Sequence, residues 1–147
     1  MRALADFFQW FVGDWRVTDF LTGEEGTMTI RVGAGECCHV LEIRIGGVRR
    51  TELWGLDPAT GNWTATGIGQ DGERFTQVML EVPEGDSPLP GDRWLDRHEG
   101  LLPSGERTAA LLKFLVEATD AFTVEFSKVS VGGEPRQGGR QRLVRRQ

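Results

Sequence analysis

The chain has 147 residues, of which 39% are hydrophobic and 27% charged, with a net charge of −5 and a pI of about 5.1. At this length a single domain spanning residues 1–147 buries roughly two-thirds of its unfolded surface, so a core needs no covalent staples. The acidity argues against nucleic acid as the main partner, and no apolar run approaches the roughly 18 residues of a membrane-spanning helix.

Leu4, Phe7, Phe8 and Phe11 recur at helical spacing before Gly13, which predicts a short helix over Met1 to Val12. Asp6 and Gln9 interrupt this apolar stretch and no small-residue cleavage site follows, so it reads as structure rather than a secretion signal. From Trp15 the apolar period changes to two. Runs at Trp15–Leu21 and Thr27–Val32 lead to Cys37–Ile45, which places Cys37, His39, Leu41, Ile43 and Ile45 on one face. Cys37 and Cys38 are neighbours whose side chains point to opposite faces, so a mutual disulfide needs a strained backbone, and reduced thiols in a cytoplasmic protein are the simpler expectation. Gly46-Gly47 reverses the chain into Val48–Trp54. The turn Asp57-Pro58-Ala59-Thr60-Gly61-Asn62 leads to Trp63–Ile68, and Asp71-Gly72 to Arg74–Val82. Gly67-x-Gly69 lies between strands rather than before a helix, so it is no dinucleotide loop.

Pro83–Gly91 is the longest break and reads as a lid or a long surface loop. Four further runs follow: Arg93–Gly100, Thr108–Glu117, Phe122–Val131 and Arg140–Arg146. Ala109 to Lys113 are good helix formers, but Thr119-Asp120 offers a turn and Phe122, Val124 and Phe126 alternate beyond it, so a hairpin is expected. With no room for crossover helices, about ten strands connect up-and-down. Closing them into an all-β antiparallel barrel removes the exposed edges of an open sheet.

The helix followed by Phe11-Val12-Gly13-Asp14-Trp15 resembles the Gly-x-Trp signature of the calycin superfamily of lipocalins, fatty-acid-binding proteins and nitrobindins. The segment Leu56 to Trp63 is similar to one in bacterial lipocalin-like families of unknown function. The resemblance implies that Trp15 plugs the barrel base, that an arginine of the last strand, Arg142 or Arg145, packs over it, and that the lumen holds a small, largely apolar molecule. A guanidinium stacked on an indole contributes about 0.5–2 kcal/mol. Nitrobindins hold haem through a late-strand histidine. No histidine follows His98 here, which disfavours haem, and no other cofactor is expected.

Several side chains are candidates for chemistry. His39 beside Cys37 can anchor a ligand, ligate a metal or serve a reactive thiol, but a core histidine beside a buried cysteine is the favoured reading, and two ligands are too few for a metal site. Trp94, Asp96 and His98 share a face, and an Asp can orient a His as general base. With no serine in a nucleophile-elbow context and no tyrosine, a solvent-facing strand near Arg93 and Arg97 is favoured instead. Glu42 and Glu52 read as exposed cross-strand partners of Arg44, Arg49 or Arg50. The C-terminal Arg136, Arg140, Arg142, Arg145 and Arg146 read as a solvated last strand with one inward arginine.

Three functions fit this fold. The leading one is an intracellular binding protein whose lumen holds a small hydrophobic or amphipathic molecule against His39, Leu41, Trp54, Trp63, Trp94 and His98, without membrane or nucleic-acid partners. The second is an enzyme at the barrel mouth using Asp96 and His98 or Cys37 and His39. The third is a structural or oligomerising module, a homodimer for example, with a filled lumen.

Overall fold

The computed structural model describes residues 2–33, 38–81 and 88–146. Cys37, and residues 83–87 of the long loop, lie outside the described residues. A short helix α1 (Arg2–Gln9) is followed by β1 (Gly13–Asp19), β2 (Glu25–Val32), β3 (Cys38–Ile45), β4 (Val48–Leu56), β5 (Trp63–Gly69) and β6 (Arg74–Met79). Beyond the long loop come β7 (Arg93–Leu101), β8 (Arg107–Ala118), β9 (Ala121–Val131), β10 (Glu134–Pro135) and β11 (Gly139–Arg145).

Each strand from β1 to β9 pairs antiparallel with the next, and β11 lies between β9 and β1, so ten strands close into an up-and-down barrel. The two-residue β10 pairs only with β9. The segment of helix formers in β8 is a strand, as expected from context. Its register partners in β7 and β9 supply ladder bonds on both sides, and its inward Leu112, Phe114 and Val116 are buried. That tertiary gain outweighs a helix propensity worth tenths of a kcal/mol per residue. A register shift between Ala109 and Leu111 puts extra β9 residues opposite β8, and Lys128 takes a left-handed φ of 49° in this bulge.

The inward faces alternate as the period predicts. Met28 and Ile30, Leu41 and Ile43, Phe75 and Met79, and Trp94 across from Phe114 are all buried. The helix ends at Gln9, and three tight i→i+3 turns carry the chain to Gly13. There φ is +138°, and a Cβ would lie 3.1 Å from an Arg145 guanidinium nitrogen, so glycine meets both the backbone and the packing demand.

Candidate functional site

The two ends of the barrel differ. At one end α1 inserts Phe7, Phe8 and Phe11, which are buried to 0%, 3% and 0% exposure. Phe8 stacks on Trp63 with ring centroids 4.3 Å apart, Phe7 and Phe11 meet Trp94 edge-on at 5.3 and 5.9 Å, and Trp94 stacks on Phe114 at 5.0 Å. Beside them Trp15 donates its Nε1–H to the Phe11 carbonyl at 2.9 Å. The Arg145 guanidinium lies 4.3 Å from the Trp15 ring and donates to the carbonyls of Val12, at 2.9 Å, and Trp10. Of the two C-terminal arginines singled out from the resemblance, Arg145 therefore covers the indole. Arg142 is exposed and pairs with Glu117 at 3.1 Å.

The opposite end is open. A cavity of about 420 Å³ lies among the turns there, with Leu102, Leu112 and Phe126 on its walls and Arg50, Glu73 and His98 among its polar groups. Arg50, Leu112, Phe126 and Gln141 also border a deeper void of about 40 Å³ that reaches Glu52, Trp54 and Gln77. Polar residues thus form a belt between the dry aromatic end and the mouth.

Within the belt, Arg50 Nε lies 2.8 Å from Glu52 Oε2 without the alignment of a hydrogen bond, and Trp54 donates its Nε1–H to Glu52 Oε1 at 3.1 Å. His98 is held on both ring nitrogens. Its Nε2 is 3.3 Å from Glu73 Oε2 and its Nδ1 is 3.1 Å from the Gln77 amide nitrogen, which fits an Nε2–H donating to the carboxylate and a bare Nδ1 accepting from the amide. Phe75 stacks on the imidazole at 4.8 Å, and Thr108 donates to the same Glu73 oxygen. The hydrogen bond from His98 holds the Glu73 carboxyl below its ordinary value, against the opposing effect of burial. Gly100 permits this cluster: a Cβ there would stand 2.4 Å from Thr108 Oγ1 and 2.7 Å from Glu73 Oε2.

Asp96 faces the lumen between its register partners Met79 and Leu112. Although the residue as a whole is half-buried, its Oδ1 is shut off from solvent and meets no hydrogen-bond partner among the described residues. Burial, and secondly the negative charge of Glu52, push its pKa up to about 7.

Two expectations are corrected. The face carrying Trp94, Asp96 and His98 points inward rather than to solvent, because these residues pair in register with inward Phe114, Leu112 and Ala110. Glu52 is 3% exposed, not a surface partner, and its ion pair is with Arg50 two residues back on the same strand. Glu42 is exposed. The sequence-predicted residues also divide between the two ends. Trp63 and Trp94 meet the helix phenylalanines, while Trp54 bridges Phe8 and Glu52. His39 is buried at the helix end, where its Nε2 is 3.4 Å from Gln9 Oε1 and desolvation lowers its pKa. Leu41 borders the deeper void and His98 the mouth. Glu73 and Gln77 are not among the residues the sequence singles out, and Arg50 is expected there only as a surface partner of a glutamate. Arg50 and Glu73 occur in hydrophilic stretches that read as surface, and only the strand register reveals their direction.

Of the two pairs proposed for catalysis, Cys37 with His39 lies partly outside the described residues, and Asp96 with His98 is not hydrogen-bonded. His98 bonds Glu73 and Gln77 rather than Asp96, and with both ring nitrogens engaged it has no lone pair free for a substrate proton. Among the described residues, no group of three His, Cys, Asp or Glu side chains is placed to hold a metal ion.

No family model matches the chain, and no curated protein matches it. Among solved structures, a redesigned β-barrel is similar over 99% of this chain and 96% of its own, at 10% identity and a TM-score of 0.35. The closed ten-strand antiparallel barrel fits a calycin-like fold. No helix of the described residues is long and apolar enough to cross a membrane.

Proposed function

We propose that the protein is an intracellular, calycin-like binding protein that takes a small amphipathic molecule through the open mouth. The observation that carries this reading is the asymmetry of the lumen. One end is filled by the chain's own aromatics, and the other keeps a cavity of about 420 Å³ with apolar walls and a polar floor. Such a volume is at the lower end of the roughly 300–1,000 Å³ of small-molecule sites, so it suits a compact ligand better than a long acyl chain. The apolar part would lie against Leu102, Leu112 and Phe126, and the polar part would meet the Arg50 to His98 belt. This relocates the ligand from the tryptophans at the helix end to the opposite end of the barrel.

Native mass spectrometry of the protein purified from its own host, followed by denaturation, tests the reading. A reproducible small molecule that is lost from an Ala110→Phe variant, whose new ring would occupy the mouth, is the expected result. Protein that carries nothing, and binds none of a panel of small amphiphiles, would leave a structural barrel as the better account.

A further inference from the structure

Resting on that reading, we propose that the head of the ligand is an uncharged hydroxyl seated in the deeper void, with its tail toward the mouth, rather than a carboxylate, phosphate or amine. The two spaces share the walls Arg50, Leu112, Phe126 and Gln141, so one molecule entering through the mouth can occupy both. At about 40 Å³ the void holds little more than one small polar group, since a water takes about 30 Å³ of the liquid. Two observations at this place set its chemistry. Gln77 borders the void and is 4% exposed; its amide nitrogen is committed to His98, and its amide oxygen meets no donor among the described residues. A buried acceptor in this position is satisfied by a ligand that brings a donor. Secondly, the only charged side chains among the described residues on the walls of the void are Arg50 and Glu52, 2.8 Å apart, and they neutralise each other. Glu52 also accepts from Trp54, whereas the buried Arg50 Nε–H makes no aligned hydrogen bond and is able to donate. A hydroxyl donates to the Gln77 oxygen, accepts from Arg50 and adds no charge. A carboxylate or an ammonium group would give up its water in a site that is already neutral, with no counter-charge to offset the loss.

The test is calorimetric titration of the full chain at pH 7.5 with four probes: octan-1-ol, its isomer 1-methoxyheptane, octanoate and octylamine. The ether accepts a hydrogen bond but donates none, so a merely apolar lumen would take it at least as well as the alcohol. Octanol is expected to bind about threefold or more tighter than the ether, the net effect of one buried hydrogen bond, and about tenfold or more tighter than either ion. Gln77→Met should remove the margin over the ether while leaving ether affinity unchanged. Glu52→Gln, a near-isosteric change, should raise octanoate affinity about tenfold or more by leaving Arg50 without its counter-charge, and it carries the test if the Gln77 variant does not fold. The ether or either ion binding as tightly as octanol, a margin that survives Gln77→Met, or octanoate affinity unmoved by Glu52→Gln overturns the inference. If in such a case a probe binds and is displaced by the Ala110→Phe side chain, the hydroxyl head is wrong and the binding reading stands. If no probe binds, both fall.

Discussion

The helix end and the mouth of this barrel are made of the same kind of strand and solve opposite problems. At the helix end, Phe7, Phe8 and Phe11 meet Trp54, Trp63, Trp94 and Phe122 ring against ring, so the lumen is closed by packing. At the mouth, the same inward positions carry Arg50, Glu52, Gln77, Asp96 and His98, which need hydrogen bonds or ion pairs rather than close packing. The difference separates two tasks: the first end holds the barrel shut by packing, and the second keeps charged groups out of water at a cost in stability, as the proposed binding role requires.

Substitutions at the two ends should therefore behave differently. The largest effect is expected from Phe11→Ala, which empties a fully buried site in the plug and should lose about 3–5 kcal/mol of unfolding free energy in urea. A loss under about 1 kcal/mol would mean that the helix is dispensable to the barrel. Asp96→Asn should act in the other direction. Its folded-state pKa of about 7 exceeds the ordinary value of 3.8, so the native state holds a proton that the unfolded state releases. Stability should then fall as pH rises from about 4 to about 7, and Asn should remove that fall and add roughly 1–3 kcal/mol at pH 8. Urea midpoints across this range check both the sign and the window. Arg145→Lys keeps the charge but loses the planar stack on Trp15 and the fork to two carbonyls, for an expected cost of about 1–2 kcal/mol. Smallest should be Ala110→Phe at the mouth, where open space accepts the ring and the melting temperature should shift by less than the equivalent of about 1 kcal/mol. A large loss there would show that the mouth, too, is a packed region.

Much of this architecture is legible in the residues, because a period of two with glycine turns constrains a chain strongly. The alternation of Met28 with Ile30 and of Phe122 with Val124 marks the core face, and Gly13-Asp14-Trp15 marks where the helix gives way to the first strand. The lumen's polar belt is far less legible. In β4, Val48 to Leu53 reads as a mixed surface strand, and only the pairing of Arg50 with Ile43, and of Glu52 with Leu41, reveals that both acid and base point inward. Likewise Trp94-Leu95-Asp96-Arg97-His98 alternates polar groups on both faces, so hydropathy gives no direction until Phe114 and Leu112 are set opposite. Charged residues inside a barrel defeat the rule that charge means solvent, and a ligand site is where that rule is most often broken.

The barrel is also closed late in the order of synthesis. β1 has β2 on one side, and on the other it waits for Gly139–Arg145, where Trp15 meets Arg145 across the seam and the Arg146 amide reaches the Asp14 carbonyl at 2.8 Å. On a translating ribosome, all the strands from β1 to β9 would emerge before this last seam could form, exposing two raw edges to neighbouring nascent chains. Arg145 is thus a latch that arrives last, and a chain interrupted even ten residues short of it would be an open, aggregation-prone sheet rather than a smaller barrel.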